Sequence, residues 1–168
     1  PYIKRFLPSK EEYIRYFEPF FGGGAMFFYL ENKGDLAGKQ TFMNDINKAL
    51  VCFYRTLTYD NELLISKIKL LVEQFNSFVN SPEERKNFFI KQRFEFNKML
   101  TKENENFIDP IKFSASFYLM NKTAYNGLYR VNSSGEFNAP IGSYDFIKEN
   151  IDTLKVFEGM RFEKKITS

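Results

Sequence analysis

The sequence predicts an α/β fold, a doubly wound domain interrupted by a mainly helical insertion that carries a β-hairpin, and three features of its 168 residues predict it. Near the start, an extended aromatic segment runs into three glycines, a short apolar helix-like segment and a second extended segment that ends in an acid. From Asn47 to Lys122 the apolar residues then fall at helical spacing. Beyond that, two extended pieces flank Asn132-Ser133-Ser134-Gly135, a hairpin-turn composition.

Taken in order, Pro1 to Leu7 reads as the tail of a helix closed off by Pro8, and Glu11 to Tyr13 as a short turn. A strand follows over Arg15 to Phe20, then Gly22-Gly23-Gly24 and a helix over Ala25 to Glu31. Asn32 to Asp35 and Gly38 are turn residues leading to a second strand, Gln40 to Asn44, with Asp45 after it. Leu50, Val51, Phe53, Tyr54 and Leu57 share one side of a helix, with Cys52 a small filler near that core. A second helix carries Leu63, Leu64, Ile68, Leu71, Val72 and Phe75. Ser81-Pro82-Glu83-Glu84 supplies an N-cap, a first-turn proline and a glutamate three residues after the cap, so a third helix starts there, carries Phe88, Phe89 and Phe94, and ends by Lys102. Asp109-Pro110 repeats the signal for a fourth helix, Ile111 to Lys122. A helix over Phe146 to Leu154 and a strand over Arg161 to Ile166 close the chain.

Composition narrows the chemistry. With no histidine, histidine triads, histidine bases and histidine metal sites are removed, and no metal is expected. One cysteine rules out an internal disulfide framework and suits a reducing compartment. A net charge of +3 permits nucleic-acid binding without arguing for it. No apolar run is long enough to span a membrane, so the expected location is the cytoplasm, at the nucleoid if DNA is the partner. The 21 Phe and 10 Tyr supply either core packing or stacking surfaces, with core packing favoured.

The glycine turn is where a ligand is expected. Glycines allow positive φ and close approach of backbone, and the N–H groups of a helix start attract electronegative groups. Gly22 and Gly24 match the first two positions of a dinucleotide fingerprint, but Phe27 fills the third, where close packing wants no side chain. Glu18 at the first strand end would repel a pyrophosphate yet attract a cationic ligand such as S-adenosylmethionine. Asp45 at the second strand end suits ribose hydroxyls. The alternatives are that Glu18 caps a turn and Asp45 caps the next helix. Placed on one edge of one sheet, the two acids favour a methyl-donor site over a nicotinamide site.

Four blocks, Glu18-Pro19-Phe20-Phe21-Gly22-Gly23-Gly24-Ala25, Asn44-Asp45-Ile46-Asn47, Tyr118 to Arg130 and Gly135 to Tyr144, closely resemble the Dam-type (D12 class) DNA adenine-N6 methyltransferases. The resemblance implies a Rossmann-like methyltransferase domain, here in part, with a helical target-recognition domain inserted. The implied divisions are residues 1–58 for the donor-binding part, 59–144 for the recognition domain and 145–168 for the return. It further implies S-adenosylmethionine held by Glu18, Phe20, Phe21, Gly22, Gly24 and Asp45. Double-stranded DNA would meet Asn126, Tyr129, Arg130, Asn132, Ser134, Asn138 and Tyr144. Arg130 suits a phosphate or a guanine edge, the three asparagines offer amide donor–acceptor pairs, and Tyr129 and Tyr144 either stack on DNA or pack the hairpin. Where some family members carry a basic residue just before Gly-Glu-Phe-Asn, this chain has Ser134.

The family's Asp-Pro-Pro-Tyr tetrapeptide, which binds the target amino group and stacks on the flipped adenine, does not occur in the sequence, and Asp109-Pro110-Ile111-Lys112 reads better as a helix cap. No catalytic residue is assigned, and the chain is expected to be a portion of a longer enzyme, inactive alone. A non-catalytic DNA-binding module or remnant is the rival reading. Oligomeric state, target site and a restriction-modification or regulatory role stay open.

Overall fold

The computed structural model describes residues 3–100, 109–148 and Leu154. These fall into two compact units that divide between Val51 and Cys52.

In the first unit a 3-10 turn, Ile3–Phe6, stands where the tail of a helix is expected, and a second covers Lys10–Glu12. Strand β1, Arg15–Glu18, then pairs in parallel with β2, Gln40–Met43, in the register Arg15↔Gln40 to Glu18↔Met43. Helix α1, Ala25–Asn32, connects them. β1 stops short of the expected Phe20 because Pro19 has no N–H to give the ladder. The pairing continues as single bonds past the strands, Asn44 N–H to the Glu18 carbonyl and Phe21 N–H to the Asn44 carbonyl, both 2.9 Å. Those bonds hold the two strand ends, and the acids on them, side by side. Phe21, Phe27, Leu30, Leu36 and Met43 form the buried core, with the rings of Phe21 and Phe27 packed edge to face at 5.8 Å.

Helix α2, Lys48–Tyr59, begins on Asn47, whose Oδ1 accepts from Ala49 N–H at 3.1 Å and Leu50 N–H at 3.2 Å. The helix cap is therefore Asn47 and not Asp45.

The second unit contains α3, Asn61–Asn76, α4, Pro82–Leu100, and α5, Pro110–Thr123. Asp109 caps α5 as expected, its carboxylate accepting from Lys112 N–H at 2.8 Å. α5 is buried along every face from Phe113 to Met120, which marks it as the central helix. Its Ser114 hydroxyl donates to Thr56 Oγ1 at 3.0 Å, and that hydroxyl donates to the Cys52 carbonyl at 2.9 Å, so the polar groups inside are paired. α3 and α4 both pack against α5.

Two expectations need correction, on Leu63 and on the helix from Phe146. Leu63 is 61% exposed, because the inner face of α3 runs through Leu64, Ile68, Leu71, Val72 and Phe75 and Leu63 lies a residue's rotation away. α4 carries Phe94 as expected, on its outer side at 59% exposure, because Arg85, Phe89 and Phe96 take the inner face; the Lys98 ammonium covers its ring at 4.2 Å. Residues Phe146 to Lys148 are not helical. The Ile147 backbone pairs instead with the Asn76 side-chain amide, 2.9 Å from Nδ2 to its carbonyl and 3.0 Å from its N–H to Oδ1. The rest of that expected helix, save Leu154, and the strand over 161–166 lie outside the described residues.

Candidate functional site

Two places carry the residues singled out by sequence, one in each unit. The first is the edge where β1 and β2 end. Asp45 Oδ2 accepts from Gly22 N–H at 2.8 Å and Oδ1 accepts from Asn47 N–H at 2.8 Å, so one carboxylate ties the glycine turn to the second strand's end. Two backbone donors hold its orientation while lone pairs on both oxygens remain for a further donor. Gly22 has φ 49° and Gly24 φ 67°, conformations that glycine reaches without strain. A β-carbon at Gly22 or Gly23 would meet nothing within 4 Å, whereas one at Gly24 would lie 2.6 Å from Phe28 and 2.7 Å from Phe21. The turn is thus open on the side of Gly22 and Gly23 and closed where it enters α1.

Glu18 is half-buried beside this turn and accepts from the Tyr16 hydroxyl at 2.6 Å. Burial pushes its carboxyl above the usual range, opposed by hydrogen bonds from Tyr16 and the Phe27 backbone. Tyr16 itself is pushed up by burial and by that carboxylate. Sequence reasoning passed over Tyr16. The signal was its place two residues before Glu18 on one strand, which puts both side chains on one face. Phe21 is buried as a packing residue, while Phe20 is 87% exposed.

The arrangement suits a ligand with a cationic group and a hydroxyl-bearing sugar. Paired acids at adjacent strand ends attract the cation and accept from the hydroxyls, and bare backbone between them leaves room for close approach. A pyrophosphate would meet two carboxylates there. S-adenosylmethionine fits this donor set, through its ammonium and its ribose.

The second place is the segment after α5. Bridges Ala124↔Ile141 and Val131↔Phe137 are antiparallel, with Asn132 N–H to the Glu136 carbonyl at 2.8 Å and Asn138 N–H to the Arg130 carbonyl at 2.9 Å, so the expected hairpin forms. Asn126 sits at φ 53°, a left-handed conformation asparagine tolerates, and is exposed. Several of the polar side chains hold the hairpin itself. Asn132 Oδ1 accepts from Ser134 N–H at 3.0 Å and Glu136 N–H at 2.9 Å, and its Nδ2 donates to Glu136 at 2.9 Å. Arg130 Nε donates to Asn138 Oδ1 at 2.8 Å and Nη2 to the Asn138 carbonyl at 3.0 Å.

Tyr129 packs between Phe117 and Phe137 at 5.5 and 5.6 Å, and burial pushes its phenol up to about 12. Tyr144 lies against Gly142, near enough that a β-carbon there would meet its ring at 2.5 Å. Tyr129 stands where the hairpin-packing alternative puts it, whereas Tyr144 touches Gly142 and is still 37% exposed. Ser134 projects from the turn, exposed.

Sequence reasoning also missed the side chains that fasten this segment to the helices. Asn97 pairs with the Phe137 backbone, Arg93 Nη1 donates to the Ala139 carbonyl at 3.4 Å, and Arg85, only 7% exposed, reaches the Asp145 carbonyl at 3.0 Å and its carboxylate at 3.1 Å. Polar residues in a helical pattern read as solvent-facing, and only tertiary structure reveals otherwise. Among the described residues, no helix is long and apolar enough to cross a membrane and no group of three or more Cys, Asp or Glu side chains is placed to hold a metal ion.

A family model described as D12 class N6 adenine-specific DNA methyltransferase matches residues 1–166. A type II methyltransferase of Methanocaldococcus jannaschii is 44% identical over 145 residues, covering 84% of this chain and 47% of the relative. A type II methyltransferase of Lactococcus lactis subsp. cremoris is 33% identical over 147 residues, 86% of this chain and 43% of the relative. A DNA N-6-adenine-methyltransferase of Escherichia phage P1 is 32% identical over 157 residues, 94% of this chain and 18% of the relative. The chain spans less than half the length of each of these relatives.

Proposed function

Because the chain belongs to the D12 class of N6 adenine-specific DNA methyltransferases, we propose that it supplies the methyl-donor edge and the DNA-reading hairpin of an enzyme that methylates adenine N6 in duplex DNA. In this reading the first unit is the start of a Rossmann-like domain and the second a target-recognition domain inserted after its second strand. The observation that carries it is the Asp45 carboxylate fixed on Gly22 N–H, with Glu18 at the neighbouring strand end and open glycine backbone beside them.

When bound, S-adenosylmethionine supplies a methyl group activated by a positive sulfonium. Glu18 meets the ammonium of the donor, and its partial burial strengthens that attraction relative to water. Asp45 accepts from the ribose hydroxyls, held in place by the Gly22 and Asn47 amides. Gly22 and Gly23, lacking side chains, let the donor lie against the backbone. In the second unit the hairpin meets the duplex through Asn126, Ser134, Tyr144 and the Arg130–Asn138 pair, and the helices keep it rigid. Reading a short site there selects the adenine that is turned out of the stack.

The test is made on the complete protein. Calorimetry should show S-adenosylmethionine binding that Asp45→Ala weakens about a hundredfold, and incubation with duplex DNA should place the methyl group on adenine N6. Binding of a nicotinamide dinucleotide in place of the methyl donor, or DNA binding with no methyl transfer, would overturn the proposal; the second result would favour a binding module.

A further inference from the structure

On the second arm of the hairpin, the backbone of Phe137 faces away from the first arm. Val131 and Phe137 stand opposite each other, and the bonds between the arms come from the flanking residues, Asn132 with Glu136 and Arg130 with Asn138. The N–H and C=O of Phe137 therefore point outward, as in every second pair of an antiparallel ladder. There they meet one side chain. Asn97 on α4 accepts from Phe137 N–H at 2.8 Å and donates to its carbonyl at 3.1 Å, so its amide acts as one residue of a third strand.

The Phe137 ring is 1% exposed and packs on Phe96 at 5.9 Å and Tyr129 at 5.6 Å, which fixes the same residue from its other side. The next residue is Asn138, whose carboxamide and carbonyl orient the Arg130 guanidinium. A shift of the arm at Phe137 would move Asn138 and turn Arg130 with it. We propose that Asn97 is a positioning residue for DNA reading, setting through Phe137 and Asn138 the direction in which Arg130 meets the duplex. This rests on the reading of the hairpin as the DNA-contacting element.

A matched control lies in the same unit. Asn76 makes the same two-bond clasp on the Ile147 backbone, beyond the hairpin. Equal support without equal influence on Arg130 separates positioning from stability.

The experiment uses the complete protein with S-adenosylmethionine and a pool of random-sequence duplex DNA, the N6-methyladenine sites being mapped by sequencing. Discrimination is the ratio of methylation at the preferred site to that at sites one base different. Asn97→Asp keeps the side-chain shape and the acceptor for Phe137 N–H but loses the donor to its carbonyl. It should lower discrimination about tenfold, with donor affinity unchanged. Asn97→Ala should lower it further, and where that variant fails to fold, Asn97→Asp carries the test. Asn76→Ala should lower the melting temperature and leave discrimination at the wild-type value. Wild-type discrimination in folded Asn97→Asp, or an equal loss in Asn76→Ala, would overturn the inference. Arg130→Ala tells the two failures apart. If it changes discrimination while Asn97→Asp does not, only the positioning role falls; if it changes neither discrimination nor DNA affinity, the DNA-reading hairpin falls as well.

Discussion

At the glycine turn, the side chains proposed to meet a ligand border open backbone, whereas in the hairpin the proposed side chains mostly hold one another. Asp45 spends two oxygen lone pairs on Gly22 and Asn47, and the space over Gly22 and Gly23 stays clear. In the hairpin, Asn132 saturates its carbonyl oxygen on two amides of its own turn, and Arg130 is tied to Asn138. In the proposed reading the first region admits a small molecule against main chain. In the same reading the second presents a preformed surface to something larger. In the hairpin the two tasks, shaping the loop and meeting a partner, are partly divided, Asn132 shaping the turn while Ser134 and Asn126 are exposed, whereas at the glycine turn Asp45 carries both.

Asp45 is where the two tasks meet, so its loss should have the largest effect. Asp45→Ala in the complete protein removes both the proposed ribose acceptor and the tie on Gly22, and should weaken S-adenosylmethionine by about 2–3 kcal/mol, roughly a hundredfold. Titration calorimetry measures this. DNA affinity should stay within about twofold, because the hairpin has its own supports. A parallel loss of DNA affinity would break the separation of the two regions. Gly24→Ala should come next. With φ at 67° and a β-carbon 2.6 Å from Phe28 and 2.7 Å from the buried Phe21 ring, it should cost about 1–3 kcal/mol in thermal or urea unfolding. Gly23→Ala, in open space, should be nearly neutral.

Much of the first unit was legible in the sequence, because strand, glycine turn, helix and strand leave local marks: the aromatic run from Tyr16, the three glycines and the acid after Asn44; the stop that Pro19 imposes on β1 was not read. The same holds for α3, α4 and α5, whose caps and apolar periods are local signals, and for the turn at Asn132 to Gly135. What stayed hidden depends on partners distant in sequence. Nothing near Asn97, Asn76 or Arg85 tells that they clasp Phe137, Ile147 and Asp145, forty or more residues away. Periodicity likewise admitted Leu63 to a face it does not share, since a single residue's rotation of about 100° separates inside from outside on a helix. Asp45 was legible as an acid at a strand end, but its bond to Gly22 was not.

Glu18 sharpens the comparison through pH. Burial holds its folded-state carboxyl above the ordinary 4.5, so the neutral form is relatively favoured in the folded protein. The stability it contributes is full at acid pH, below the unfolded value, and is lost as pH rises through the folded value. Donor affinity should run the other way, since only the ionised carboxylate attracts an ammonium. It should fall as pH drops toward the raised value, with the midpoint above 4.5. Glu18→Gln should flatten that profile and weaken binding at neutral pH about tenfold. A profile identical to wild type would remove Glu18 from the donor site.

The smallest effect should be a gain. Ser134 is exposed at the hairpin tip, and the turn around it is held by the Asn132 carboxamide through the Ser134 and Glu136 amides, without help from the serine side chain. Replacing that side chain should therefore change what the hairpin presents and leave its shape intact. Ser134→Lys adds a charge without removing a support. If the tip faces the duplex, DNA affinity at low salt should rise a fewfold, and the slope of log affinity against log salt should steepen by about 0.9, the value for one more phosphate contact. If the increase appears only on particular sequences, the lysine is reading a base edge, as a basic residue can at a guanine. An unchanged slope would place the tip away from DNA and leave Asn126, Tyr144 and the Arg130–Asn138 pair, nearer the hairpin's base, as the contacting surface.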